Sequence, residues 1–290
     1  MKVRILVDST VNIKESLKEK LTVVPLTVHF GEEEYLDGVN IDHETFYRKL
    51  MESRALPTTS QATPAAFAEA FREISDAGEC AVVITVASAL SGTYQSAMIA
   101  AEEYPGIYVV DSETASIGAG ILVQRALQMA EEGFCAEEIV QVLEQEKKQI
   151  RIVALVDTLE YLKRGGRISK TVAFAGNLLG IKPILSVAGG QICMLGKARG
   201  SRQGNQQLVR EMEKAGGIDS DKPVLLGYSG LCDENVRDFL EGSKGFWNSE
   251  PEIAVLGSVI GTHVGPGAVA VAFFQKENDD STVQREKNEQ

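Results

Sequence analysis

Short apolar runs alternate with helix-like stretches through the first half of the chain. The runs lie at 3–7 (VRILV), 22–28 (TVVPLTV), 81–86 (AVVITV) and 107–110 (IYVV). This βα alternation points to a parallel sheet with helices on both faces, because parallel neighbours need a helix-length crossover between them. Helices are expected over 12–20, 43–52, 64–77, 91–103, 115–132 and 136–148, several of them after a Ser, Thr or Asp suited to capping. Thr63 before PAAFAEAF is the clearest start signal: its hydroxyl can take an orphan amide, and Pro64 suits the first helical turn.

From about residue 150 the pattern changes. Strand runs are expected at 151–156, 183–187, 191–195, 223–228, 252–259 and 268–274, with helices near 171–179, 202–215 and 233–243. The pattern describes a second α/β unit with a mixed sheet. With 290 residues, 44% of them apolar, length also favours two domains. The expected division is a three-layer parallel-sheet domain at 1–150, a mixed-sheet domain at 151–277 and a polar, frayed tail at 278–290.

The formal net charge is −12, which disfavours nucleic acid as a partner. The charge is unevenly spread. Between Arg151 and Arg210 stand ten Lys or Arg against two acids, Asp157 and Glu160, so this window carries +8 and the rest −20. Such an island is either a docking surface for an acidic partner or phosphate, or a solvated face with counter-charges supplied elsewhere in the fold. No apolar run is long enough to span a membrane, and the opening MKVRILVDST reads as a strand and not as a signal, so a cytoplasmic protein is expected. Cys80, Cys135, Cys193 and Cys232 are far apart, with no CxxC pair. They read as reduced, mostly structural thiols, with no metal site or disulfide framework implied.

Four segments bring hydroxyls, glycines and cations to the ends of strands. Asp8-Ser9-Thr10 follows the first strand, where parallel folds bind ligands, and equally suits a cap and turn. Thr58-Thr59-Ser60-Gln61 is a polar run before a helix; alone it reads as a loop with caps. In Ser88-Ala89-Leu90-Ser91-Gly92-Thr93-Tyr94, hydroxyls and free amides at a helix start favour a carboxylate or phosphate, while Ser91 could equally be only the cap. The fourth is Leu159 to Ile168 (LEYLKRGGRI), taken with Ile260 to Ala268 (IGTHVGPGA). Here paired glycines aim Arg167, and glycines frame His263 in what reads as a constrained turn and not a packed helix face. No GxxxxGK[ST] phosphate loop occurs.

Together these pieces resemble the DegV family over nearly the whole chain. The matching stretches are VDST (7–10), PTTSQAT (57–63), SALSGTYQSA (88–97), VDSETAS (110–116), LEYLKRGGRIS (159–169), KARG (197–200) and IGTHVGPGA (260–268). The resemblance implies two α/β domains with one long-chain fatty acid between them, presented to a separate ATP-dependent fatty acid kinase that converts the carboxylate to an acyl phosphate for lipid synthesis. It implies no catalytic residue, cofactor or metal in this chain. Carried over by motif, Thr59 and Ser91 would bind the carboxylate. Arg167, His263, Ser60, Gly92 and Thr93 would form the network around it, and Lys197 and Arg199 would face the kinase. Ala62-Thr63 stands where the family often has Pro-Pro or Pro-Ser. Two other readings are an acyl hydrolase using Ser91, His263 and an acid such as Asp8 or Asp111, and a lipid sensor. Against the hydrolase, Ser91 is not within GxSxG.

Overall fold

The computed structural model describes residues 2–53, 55–168 and 180–276. The helix expected near 171–179 and the tail expected at 278–290 lie outside the described residues. Strands β1 (Val3–Asp8), β2 (Leu21–Val24), β6 (Cys80–Thr85) and β7 (Ile107–Asp111) form a sheet in the order β2-β1-β6-β7. All its pairs are parallel, as the alternation requires. β6 is buried throughout, which explains why CAVVIT shows no alternation of polar and apolar residues. Helices α3 (Pro64–Asp76) and α4 (Thr93–Ala101) pack on one face through Phe67, Phe71 and Ala97. On the other lie α5 (Ser116–Glu131) and α6 (Ala136–Glu146).

A second sheet contains β8 (Ile150–Leu155), β9 (Ile181–Ala188), β10 (Gln191–Arg199), β11 (Leu225–Tyr228), β12 (Glu252–Val255) and β13 (Val269–Phe274). Its order is β10-β9-β8-β13-β11-β12, with β11 and β12 parallel and every other pair antiparallel. This is the mixed sheet anticipated from the sequence. Its outer face packs through Val153, Leu155, Val271 and Phe273 against α8 (Gly200–Lys214) and α9 (Glu234–Gly242). The inner face shares an apolar cluster with α5 and the first sheet. Since α5 is covered from both sides, 11 of its 16 residues are buried, and no polar side chain occurs between Ser116 and Gln124.

The remaining elements are α1 (Glu15–Lys18), α2 (His43–Glu52), α7 (Glu160–Arg164), α10 (Ser258–Val264) and a small antiparallel sheet. That sheet runs β4 (Glu33–Leu36), β3 (Thr27–Phe30), β5 (Thr58–Ser60). The caps at Asp42 and Thr63 form as expected, each side chain accepting an amide of the first turn.

Several expectations are corrected. The run 22–28 is not one strand: Pro25, without an N–H, divides it into β2 and β3, which belong to different sheets. The helix expected over 12–20 is only α1, because Ile13 is buried in the core and the Asn12 amide bonds Ser116 O, which holds this stretch extended. Residues 58–60 are strand, not loop, since they pair with β3. The strand expected over 252–259 ends at Val255, and α10 follows it; short apolar runs do not separate helix from strand by period alone. Of the cysteines only Cys80 is buried, so the other three are not core thiols.

Candidate functional site

A cavity of about 370 Å³ lies between the C-terminal ends of β1 and β6 and the inner face of the second sheet. Ile152 and Ala154 of β8, Leu185 and Val187 of β9 and Ala270 of β13 face into it. Strand geometry sends alternate residues to opposite faces, so the intervening Val153, Leu155 and Val271 fill the core under α8 and α9 instead. Cross-strand register aligns Leu185, Ala154, Ala270 and Gly227 in one row. Ala154 and Ala270, side by side and both lining the cavity, make that row a trough in the floor, while the space over Gly227 is filled by Leu256 and Ile117. Val259, Ile260 and Val264 of α10 and Ile117 of α5 complete the apolar wall.

Polar residues gather in one part of the wall, joined in a closed ring. His263 Nε2 lies 3.0 Å from Thr59 Oγ1. Two residues along the chain from Thr59, Gln61 Nε2 donates to Gly92 O at 3.3 Å and to Ser96 Oγ at 2.9 Å. A side chain at Gly92 would collide with Gln61, so glycine is required for this approach. Ser91 Oγ lies 2.9 Å from Thr93 Oγ1 and accepts the Thr93 amide at 3.3 Å. Arg167 Nε donates to Leu90 O at 3.1 Å and its Nη1 to Gly165 O at 2.6 Å. Gly165 packs on the His263 ring and closes the circuit; any side chain there would strike Nδ1. The turn that aims Arg167 uses Gly166 at φ +70°, open to glycine and strained for other residues.

Thr59, Ser60, Ser91, Gly92, Arg167 and His263 therefore all line one cavity, with Thr93 buried directly behind Ser91. Ser60 differs from its neighbour: its Oγ pairs with His29 Nε2 at 2.8 Å, on the strand face opposite Thr59. The expectation of a turn at His263 is corrected, since the residue sits in the last turn of α10. Its flanking glycines act in packing: Gly261 admits the Phe46 and Tyr47 rings, and Gly265 admits Tyr161.

Burial, reinforced by the Arg167 guanidinium, lowers the His263 pKa to about 4, so the ring is neutral at neutral pH. An unfolded imidazole takes up its proton near ~6.5. The stability due to this burial is therefore complete above that value and is lost as pH falls toward about 4. The buried carboxyls of Asp8 and Asp37 hold their protons more tightly than usual because of burial, and they act in the opposite sense. The difference between wild type and His263→Gln isolates the histidine. In urea titrations the stability advantage of wild type should shrink between about pH 7 and about pH 4.5; a constant difference would mean that the ring is not held neutral by burial.

Neutral His263 has Nδ1 buried without a hydrogen bond among the described residues. The tautomer that avoids a stranded donor carries its proton on Nε2 and donates to Thr59, leaving the threonine hydroxyl proton free. Ser91 Oγ accepts the Thr93 amide, and its proton is available to the cavity when Thr93 Oγ1 is the donor of the bond between the two hydroxyls.

The residues of the hydrolase reading do not form a relay. The hydrogen bonds of Ser91 go to Thr93, and His263 pairs with Thr59. Asp8 accepts from Thr10 and the Val86 amide, and Asp111 from the amides of Ser88 and Glu113. The cap reading of residues 8–10 also falls away, because Thr10 lines the cavity and the first helix starts later.

Lys197 and Arg199 are on β10, an edge strand, exposed on one face and outside the cavity. Within the basic window the ion pairs are local, Arg164 with Glu160 and Lys182 with Asp157. Lys163, Lys197, Arg199, Arg202 and Arg210 make no ion pair among the described residues. No helix among these residues is long and apolar enough to cross a membrane.

Sequence and structure comparisons agree with one another. Residues 2–276 match the DegV family, whose members are described as uncharacterised proteins. A DegV domain-containing protein of Caldanaerobacter subterraneus is 36% identical over 284 residues, covering 95% of this chain and 99% of the relative. A DegV family protein of Thermus thermophilus, solved for its fatty acid binding, has a TM-score of 0.85 at 32% identity, over 95% of this chain and 100% of that one. DegV of Bacillus subtilis, a fatty acid binding protein, has a TM-score of 0.82 at 29% identity, over 95% and 100% of the two chains. By a match that runs from residue 2 to residue 276 and relatives aligned over almost their full length, the chain belongs to the DegV family.

Proposed function

We propose that this chain binds one long-chain fatty acid, with the carboxylate at Thr59, Ser91, Arg167 and His263 and the tail along the apolar walls, and presents the acid to a separate fatty acid kinase. The observation that carries the reading is the gathering of the Thr59 and Ser91 hydroxyls and the Arg167 guanidinium in one part of a cavity whose remaining lining, Thr10 and Ser116 apart, is apolar. About fourteen buried methylenes contribute roughly 11 kcal/mol gross at ~0.8 each. Ordering the tail and desolvating the head oppose this gain. A carboxylate taken out of water needs donors, and the hydroxyls of Thr59 and Ser91, with the guanidinium of Arg167, supply charge-assisted hydrogen bonds. The fatty acid binding of the Thermus thermophilus and Bacillus subtilis relatives supports the same ligand class here.

Ser60 and Gln61, beside the polar end, are exposed, so a carboxylate held there lies near the surface. A partner supplying ATP would convert it to an acyl phosphate: a carboxylate oxygen attacks the γ-phosphorus, the bond from that phosphorus to the β–γ bridging oxygen breaks, and ADP leaves. Lys197 and Arg199, unpaired on an exposed strand, are the surface we assign to that partner, by attraction to acidic groups. Arg199→Glu should leave bound lipid unchanged and impair phosphorylation by the cognate kinase. Equal phosphorylation of variant and wild type would remove this assignment.

The direct test of binding is organic extraction of denatured, purified protein, with mass spectrometry of the released lipid against protein concentration. Near-stoichiometric fatty acid is the expected result. No lipid, even after incubation with a range of acids, would end the binding proposal.

A further inference from the structure

Helix α10 is held at both ends by the same three-stranded sheet. At its C-terminal end His263 meets Thr59 of β5. At its N-terminal end Asp37, the residue after β4, accepts the Ser258 amide with Oδ1 at 3.2 Å. β4 and β5 flank β3 and so stand two strand spacings apart, ~9.6 Å. From Ser258 to His263 a helix rises ~7.5 Å. The helix thus runs between two points of one sheet, Asp37 just beyond β4 and Thr59 on β5, and is of comparable length to their separation across the strands. Between these ends α2 fixes the lateral position: the Tyr47 hydroxyl donates to Leu256 O at 2.9 Å, and a Cβ at Gly261 would come within 2.6 Å of Phe46 and Tyr47 atoms.

Asp37 is an expensive residue to keep here. It is 6% exposed, forms no ion pair among the described residues, and has the buried Asp8 and Tyr47 as its titratable neighbours. The hydroxyls of Ser258 and Ser9 and the amides of Ser258 and Val259 lie close enough to favour its charged form, yet its Oδ2 and Ser258 Oγ are both buried without a hydrogen bond among the described residues. Burial outweighs these donors. What the carboxyl holds in return is the start of one short helix whose other end is the polar ring. Asp37 itself does not line the cavity.

We propose that Asp37 is a positioning residue for the ligand site: by accepting the first amide of α10, that of Ser258, it fixes where the helix ends and keeps His263 against Thr59. The inference rests on the reading of Thr59 and His263 as head-group residues.

Three variants test it. Asp37→Ala removes the acceptor, and Asp37→Asn keeps an oxygen for the Ser258 amide without the charge. Ser258→Pro deletes the donor at a first helical position that proline suits, after an extended Gly257 (φ −65°, ψ 178°). Two quantities are measured: release of a pyrene-labelled long-chain fatty acid, and the ring nitrogen resonances of His263 in lipid-free protein. Asp37→Ala and Ser258→Pro should each speed release about tenfold, the scale of a lost helix cap. Each should also shift the Nε2 resonance and raise the pH at which the ring titrates, and Asp37→Asn should restore both. Unchanged His263 resonances in folded Asp37→Ala or Ser258→Pro would overturn the proposal. Should Asp37→Ala fail to fold, Ser258→Pro decides. Shifted resonances with unchanged release would support positioning and count instead against the head-group reading.

Discussion

Arg167→Ala should weaken fatty acid binding about a hundredfold, the largest loss expected of any single substitution in the polar ring. Arg167 is the one cation among the described residues that line the cavity, because His263 is neutral at neutral pH. A guanidinium has five N–H donors. Two of them go to the carbonyls of Leu90 and Gly165, which fix the plane of the group and leave the others for a ligand. Removing one member of a buried charged pair costs about 3–5 kcal/mol, because the other charge stays behind uncompensated. Arg167 is only half-buried, so the lower part of that range applies. Arg167→Lys should recover part of the loss, since a lysine supplies the charge but not two fixed carbonyl contacts and a ligand contact together. Calorimetric titration of delipidated protein with oleate measures the effect, and urea unfolding shows that the fold is retained. An affinity for Arg167→Ala within twofold of wild type would place the carboxylate elsewhere.

The parts of this site that were legible in the sequence share a cause. Segments that end parallel strands converge at one edge of the sheet, so Thr10 and Ser91 could be placed together from alternation alone. Hydroxyls before a helix and glycines beside a cation are local signals, and they pointed to Ser91 and Arg167, whereas Thr59 was named only by the family resemblance. What escaped depends on partners distant in the chain. His263 looked like a turn residue because glycines surround it, yet those glycines let aromatic rings and Tyr161 approach a helix. Residues 58–60 looked like a loop because their pairing partner, β3, was hidden inside a run that Pro25 divides. Asp37 is one of 41 acidic residues, and nothing local marks it as the anchor of a helix more than two hundred positions away. The cavity floor was equally silent: Ala154 and Ala270 become a trough only once register sets them side by side.

That trough carries the second large effect. Ala270→Leu should lower affinity for long acids about fiftyfold and shift the bound lipid toward shorter chains. The position lies in the middle of the row formed by Leu185, Ala154, Ala270 and Gly227 and opens on a cavity of about 370 Å³. A leucine there projects its added carbons into space that a tail would fill. Displacing about three methylenes forfeits ~2.4 kcal/mol at ~0.8 each, a loss that short acids escape if they end before the row. The lipid-free protein should lose less stability than a core overpacking would cost, since Ala270, although buried, opens on the cavity and the added carbons can extend into it. Mass spectrometry of lipid retained from an equimolar mixture of acids reads the shift, and a chain-length profile identical to wild type would mean that the tail does not cross this row. Val271→Leu is the matched control. Val271 is the next residue on the strand, is fully buried, and faces α8 and α9 instead of the cavity. It should cost stability by overpacking and leave the lipid profile alone. A profile altered equally by both substitutions would assign the effect to distortion of the sheet, not to the volume at residue 270.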